Sequence, residues 1–431
     1  MAVYGPTGGP LGLGVDLGTS GLRLALIQAD GQVPAELTSP YPAVFEDPQG
    51  WRTGLVALCD RLAPELRARV GAIAIDGTSG TLLLCKPDGS LPPGVLALAL
   101  PYHQACPLQA TLAASLAGPD AAQTPAAGAS GSLARALTLL SAAEQAGQAG
   151  PWLLRHQADW LMGWLLDDWR WGEEGNNLRL GWDLQARRWF GAIGDQPWST
   201  ALPRICASGE RLGALAPSVA VALGLPPDCQ VVAGSTDASA AVIAADPQPG
   251  DGVAVLGTTL ALKQFAPVPI AAPGVSCQRL AGQWLVGGAS NAGAGVLRQF
   301  FTDAQLRELS RQIDPRRPTG LQLRPLPRPG ERFPVDDPSL APILMPRPVS
   351  DALYLQALLE GLAVIERDGW RRLQALGAPP IRRVLSLGGG ARNPQWRQLR
   401  QRLLGIPVLN RPEASAARGM ARLALSALVS P

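Results

Sequence analysis

The sequence predicts an α/β protein built from two domains of similar construction, and three observations carry that expectation. First, the four residues GTSG occur twice, in VDLGTSGLRLALIQADG (Val15 to Gly31) and in AIAIDGTSGTLLLCKPDG (Ala72 to Gly89). In each copy an apolar run ends in an aspartate (Asp16, Asp76), a Gly/Thr/Ser turn follows and a second apolar run resumes, which reads as strand, tight turn, strand. Second, strand-like runs alternate with helical ones through the first part of the chain, the α/β pattern. Third, VLGTT at 255–259 echoes VDLGTS at 15–20, so the second half repeats the opening device of the first.

Taken in order, Leu22 to Ile27, Ala72 to Ile75 and Leu82 to Cys85 read as strands. Between Leu108 and Gly150 the chain turns Ala, Gly and Ser-rich, consistent with a helical segment with loose joins or with a functional insertion. QVVAGSTDASAAVIAA (230–245) leads into a second strand-turn-strand, GVAVLGTTLALKQF (252–265). Arg324 to Pro348 holds too many prolines for a helix or a central strand and reads as an ordered loop or connector. Leu355, Leu358, Leu359 and Leu362 fall at i, i+3, i+4, i+7 and predict a long amphipathic helix ending at Gly377. IRRVLSLGGGARNPQWRQL then gives a buried strand, a triple-glycine turn and a helix start.

Composition narrows the function. With 431 residues, 47% of them hydrophobic, the chain is long enough for two cores without staples. A net charge of +3, with the basic residues spread along the chain, leaves no footprint for nucleic acid. The six cysteines form no C-x-x-C pair, and His103 and His156 are the only histidines, so a zinc cluster is excluded and reduced thiols in a cytoplasmic setting are expected. No apolar run approaches the roughly 18 residues of a membrane span, and no signal peptide is expected at the N-terminus.

Gly-Thr-Ser turns between strands suit anions, because a glycine admits a phosphate close to the backbone while Thr and Ser supply donors. One such turn decides little; here Gly18-Thr19-Ser20, Gly257-Thr258-Thr259 and Gly388-Gly389-Gly390 form a set. The Walker sequence G-x-x-x-x-G-K-[ST] is absent, which excludes a P-loop. Gripping a nucleotide with opposed hairpins is the phosphate-binding plan that remains.

These segments carry a resemblance. VDLGTSGLRLALIQADG, AGSTDASAAVIAA, VLGTTLALK and LSLGGGARNPQWRQL together look like the two phosphate motifs, the catalytic-aspartate segment and the adenosine motif of the FGGY carbohydrate kinases. IDGTSGTLLLC, ACP, QADWL, GERFP and RQLRQ make the likeness nearest to the short cyanobacterial and plant members regarded as D-ribulose kinases. The resemblance implies a two-domain ribonuclease H-like fold, shared with actin and Hsp70, with ATP and sugar in the cleft between domains. It implies an N-terminal domain over 1–240, a nucleotide domain over 241–415 and a last helix, 416–431, returning to the first. D-ribulose and ATP are the implied partners, Mg²⁺ the implied metal, and the cytoplasm, cyanobacterial or plastid-like, the implied location.

Residue by residue, the resemblance sets Gly18, Thr19 and Ser20 toward the γ-phosphate and Asp16 near the sugar end, where Asp16 also becomes a candidate Mg²⁺ ligand. Ser79 and Gln104 are implied sugar contacts, or an ordinary turn serine and a surface glutamine. Asp237 matches the family's catalytic aspartate, a base that takes the sugar hydroxyl proton; its place before an Ala-rich run also suits a helix cap. Such a cap would keep the carboxylate ionised. On the adenosine side stand Gly257, Thr258, Gly389, Gly390 and Asn393, with Trp396 as a stacking face or a core residue and Gly293 as nucleotide wall or tight packing. An actin- or Hsp70-like ATPase and an idle sugar-binding protein are the readings from other classes; loss of the aspartate would mark the latter, and Asp237 is present.

Overall fold

A computed structural model of the chain describes residues 9–119 and 124–429. Residues 120–123 of the Ala/Gly-rich stretch and the first eight residues lie outside the described residues. Two compact units divide the chain: Met1–Ala244 with Arg279–Gly282 and Ser415–Pro431, and Ala245–Gln278 with Gln283–Ala414. The break after Ala244 leaves the helix Asp237–Ala244 whole in the first unit.

The first unit is organised on a six-stranded sheet. β1 (Leu11–Gly18), β2 (Gly21–Ile27) and β3 (Ala35–Ser39) form an antiparallel meander. On the other side of β1 run the parallel strands β4 (Val70–Gly77) and Gln230–Thr236, with Arg211–Ala214 antiparallel at the edge. Leu11, Leu13, Val15 and Leu17 of β1 are fully buried on one face, against Trp51, Leu55 and Leu58 of the helix Pro48–Asp60 and Trp160 and Leu161 of the helix Gln157–Leu166. Each such apolar side chain contributes about 1.5–3 kcal/mol by leaving water.

The opposite face is built from small residues, because a helix lies flush on it. A Cβ on Gly12 or Gly14 would collide with the backbone of Ala421 or Ala417, both in the helix Ala416–Val429. Met420, Leu423 and Ala424 of that helix pack with Ala72, Ala74 and Val232 of the neighbouring strands and with Ala240 of the helix Asp237–Ala244. Along this face the helices cover positions 12 and 14 of β1 and 72 and 74 of β4; the next positions in the same alternation are Asp16 and Asp76.

The second GTSG behaves differently from the first. Gly18–Gly21 closes a tight β1–β2 hairpin, but after Gly77 the chain leaves the sheet, and β5 (Leu82–Cys85) pairs with β6 (Leu153–His156) in a small separate ribbon. Identical turn residues are compatible with both outcomes, since the choice rests on whether a partner strand 70 residues away is available.

In the second unit Asp251–Leu256 and Leu260–Ala266 make a hairpin about Gly257-Thr258-Thr259, Gln283–Ser290 pairs antiparallel with Leu260–Ala266, and Arg383–Leu387 and Val408–Asn410 add in parallel on the other side. This is the plan of the first sheet repeated. The core lies between this sheet and two helices, Asp351–Ala375 and Pro394–Leu404; Leu355, Leu358, Leu359 and Leu362 are buried as their spacing predicts. The proline-rich stretch is irregular but anchored, with bridges Arg324 to Ile343 and Glu331 to Asp337. The described cysteines are all unbridged, and among the described residues no helix is long and apolar enough to cross a membrane.

Candidate active site

Strand register sets the first unit's polar row. Asp16 faces Arg23 across the β1–β2 hairpin and Asp76 across the β1–β4 pair, and Asp76 in turn faces Ser235. The row lies at the carboxyl ends of parallel strands, where open α/β sheets place their ligands. A register shift between Val232 and Ser235 breaks the pairing with β4 just before the chain enters the helix at Asp237. A bulge of this kind re-aims the residues after it.

Arg23 holds Asp16 by a 2.7 Å ion pair, and the carboxylate is 5% exposed. Seven residues separate them, and the tight turn at 18–21 brings them opposite one another across the hairpin. Tyr41 donates to the Gly18 carbonyl at 2.9 Å and fixes the turn from behind; burial first, then the Asp16 charge, raise its phenol well above the ordinary range. Thr19 and Ser20 are exposed at the tip. Thr19 donates to the Tyr102 hydroxyl at 3.3 Å, and Ser20 accepts a long 3.5 Å contact from Arg23.

Asp76 is fully buried, and neither of its carboxyl oxygens has a hydrogen-bond partner among the described residues. Burial, then the charges of Asp16 and Asp237, push this carboxyl well above the usual carboxylate range. Asp237 heads its helix and accepts from the Ala238 N–H at 2.7 Å. The Ala238 N–H lowers the Asp237 carboxyl, in the direction a helix terminus implies, but it is not the largest influence. Desolvation outweighs the N–H and raises the Asp237 carboxyl, with Asp16 adding to the rise and Arg179 opposing it.

Around the second GTSG, Thr78 is consumed internally: its N–H and Oγ1 donate to Gln157 Oε1 at 3.1 and 2.9 Å, and Oγ1 lies 2.7 Å from Thr81 Oγ1. Ser79 is half-buried and its hydroxyl has no partner among the described residues. Gln104 is exposed; its carbonyl, not its side chain, is engaged, accepting from Arg135 Nε at 3.1 Å. Arg135 is fully buried and donates only to carbonyls, those of Gly80, Pro101, Tyr102, Gln104 and Ser130, so it clamps the loop 101–104 onto the turn. Tyr41, Tyr102, Arg135, Gln157 and Arg179 were not foreseen; they reach the site over long sequence separations and carry no local signal.

In the second unit a cavity of about 880 Å³ is lined by Gly257, Thr258, Gly389, Gly390, Asn393 and Trp396, with Arg298, Arg307, Arg311 and Arg392 among its other residues. Its size is that of a small-molecule or cofactor site. A Cβ on Gly389 would meet nothing within 4 Å, so this backbone faces open space. Three expectations are refined. Asn393 is a helix cap, accepting from Trp396 N at 2.9 Å and donating to Ser310 Oγ at 2.9 Å. Trp396 is 4% exposed and belongs to the core, its ring pressed against Gly390, so it contributes a wall rather than an open stacking face. Gly293 is absent from the lining: it is buried under the 258–259 turn, where a Cβ would strike Thr258 and Thr259, and its role is packing.

No group of three His, Cys, Asp or Glu side chains among the described residues is arranged to hold a metal ion alone. Mg²⁺ is usually held by one or two carboxylates with substrate phosphates and water. Asp16 beside the unpartnered Asp76 oxygens fits that lesser requirement.

The two repeated sheets define the fold of the sugar kinases, and comparison with solved structures agrees over nearly the whole chain. A xylulose kinase from Brucella ovis superposes with a TM-score of 0.79 at 22% identity, covering 98% of this chain and 91% of that one. A xylulose kinase from Rhodospirillum rubrum gives 0.77 at 20% identity over 96% and 89%. A glycerol kinase from Plasmodium falciparum, solved with ADP, gives 0.77 at 14% identity over 98% and 90%. Residues 252–428 match the model of the C-terminal domain of the FGGY family of carbohydrate kinases.

Proposed function

We propose that the protein is an ATP-dependent FGGY-type carbohydrate kinase that phosphorylates D-ribulose at O5, giving D-ribulose 5-phosphate. The observation that carries this reading is Asp237 at the head of its helix, with Asp16 on the Gly-Thr-Ser hairpin close enough to act on it electrostatically. That is the arrangement of a general base beside a phosphate turn. The proton leaves the acceptor hydroxyl for the Asp237 carboxylate, the oxygen bonds to the γ-phosphorus, and the bridging P–O bond breaks to release ADP. Asp237 then returns the proton to water.

The first unit supplies the acceptor side: Ser79 offers a hydroxyl to the sugar, Thr19 and Ser20 offer donors to the transferred phosphoryl, and Gln104 is an outer candidate contact. In the second unit Gly257, Thr258, Gly389 and Gly390 admit the nucleotide backbone, with arginines on the rim. Mg²⁺, held by Asp16, would neutralise charge on the phosphates.

The substrate is supported by the DGTSGTLLLC segment and its neighbours. D-xylulose is the second reading, because two of the similar structures are named xylulose kinases. ADP release measured over D-ribulose, D-xylulose, pentitols, glycerol and gluconate tests both. D-ribulose is expected to give the largest kcat/KM; a larger value for D-xylulose or glycerol removes the assignment and leaves a kinase of the same family.

A further inference from the structure

Three arginines lie on the acceptor side of the first unit, and two are held by short bonds to firm partners. Arg23 is paired with Asp16, and Arg135 is spent on five carbonyls. Arg179 is different. It is half-buried, no carboxylate among the described residues lies within 4.0 Å of its guanidinium, and its one hydrogen bond is a long contact, Nη1 to the Ser130 carbonyl at 3.5 Å. Its stem crosses the second GTSG: the Cδ lies 3.3 Å from where a Cβ on Gly80 would stand, one residue from the unpartnered Ser79 hydroxyl. The segment carrying it is rigid, since Leu180 is fully buried and Asn177 donates to Asp159 and to the Glu173 carbonyl. A guanidinium has five donors in a planar fork, and a half-buried one with most of them unused beside a catalytic carboxylate is poised for an added acceptor.

Building on the kinase reading, we propose that Arg179 is a specificity-determining residue of the acceptor site, whose guanidinium donates to oxygens of a neutral polyhydroxy ketone next to the hydroxyl that Asp237 deprotonates. Two carbonyl or hydroxyl oxygens on adjacent carbons match the fork, and a single ammonium does not. The same charge favours the basic form of Asp237. The charged groups acting on that carboxylate are Asp16 from β1, which opposes its ionisation, and Arg179, which promotes it; the Asp237 charge in turn raises the carboxyl of Asp76 on β4. Arg418, on the helix packed behind, is engaged with Glu36.

The test compares wild type, Arg179→Gln and Arg179→Lys by steady-state ADP release across pH, together with calorimetric sugar binding without ATP. Arg179→Gln is expected to raise KM and Kd for D-ribulose about 10- to 100-fold, the scale of a lost charged hydrogen bond. KM for ATP should stay within about twofold, as expected for a group confined to the sugar. Loss of the positive charge should also move the acid limb of kcat to higher pH. Arg179→Lys should restore the limb but not the sugar affinity. Sugar KM and Kd unchanged in Arg179→Gln overturn the proposal; should that variant fail to fold, an unchanged sugar KM in Arg179→Lys overturns it equally. A wild type that binds D-ribulose without phosphorylating it removes the kinase reading and leaves the binding comparison decisive. Binding of no sugar by the wild type removes both.

Discussion

At the scale of single residues, two aspartates of the first unit differ in their surroundings and have opposite expected uses. Asp237 retains a backbone donor and an opposing arginine, and both favour its ionised form against the burial that raises its carboxyl. Asp237→Asn keeps the size and most of the capping ability, and it removes the proton acceptor. The expected result is a fall in kcat of about 10²- to 10⁴-fold with ATP affinity and melting temperature retained. Equal activity would remove Asp237 from the mechanism, and an unfolded variant would make it structural. Asp76 has no backbone or neutral side-chain donor among the described residues, its carboxyl neighbour is Asp16, and the opposing charge near it is the already paired Arg23. Because its folded-state carboxyl is raised, the folded protein binds that proton more tightly than the unfolded chain. Stability from this group is therefore full at acid pH and is lost as pH rises through the raised value. Asp76→Asn removes that loss, so its melting temperature should exceed wild type by roughly a few degrees at pH 8 and by less at pH 5. Thermal melts at the two pH values check the sign, and a larger gain at pH 5 would show that Asp76 is ionised and compensated in the fold.

At the scale of elements, turns and packed faces carry the information that single residues do not. The hairpin at 18–21, the long helix Asp351–Ala375 and the strand-turn-helix about 388–390 were all legible, because each is set by local alternation, by helical spacing or by glycine position. The departure of the chain after Gly77 was not, since nothing within Ala72 to Gly89 specifies a partner at Leu153–His156. Nor was the burial of Trp396, whose position at the third residue of a helix suits a wall or an exposed face equally. The glycine turn separates packing from binding by adjacent substitutions. Gly390→Ala would press on Trp396 and Leu256, 2.7 Å from the latter's Cβ, and should cost about 1–3 kcal/mol of stability by overpacking. Gly389→Ala meets nothing within 4 Å and should leave the melting temperature in place while weakening ATP binding, because its methyl group enters the space the nucleotide backbone needs. Unchanged ATP affinity in Gly389→Ala would separate this turn from nucleotide binding.

At the scale of the whole molecule, the repeated sheet plan explains why two short echoes in the sequence, VDLGTS and VLGTT, mark corresponding hairpins although the rest of the halves differ. The chemistry is divided differently from the architecture: the carboxylates lie on the first unit alone, and the large cavity with its arginines lies on the second. The chain also crosses between units near its end, for Ser415–Pro431 belongs to the first unit although it follows the second in sequence. The helix Ala416–Val429 covers the small-residue face of β1 and β4, burying Met420, Leu423 and Leu425, each worth about 1.5–3 kcal/mol. Removing it would expose Gly12, Gly14, Ala72 and Ala74 together, a loss comparable with the whole stability of an ordinary domain. A chain ending at Ala414 should therefore lose the first unit and, with it, any thermal shift on adding D-ribulose. The core of the second unit, from Ala254 to Val408, lies entirely upstream of the cut and should survive limited proteolysis as a resistant fragment. If the shortened chain instead kept sugar binding and a wild-type melting profile, the helix would be a cover over an already stable sheet, and the small residues beneath it would need another explanation.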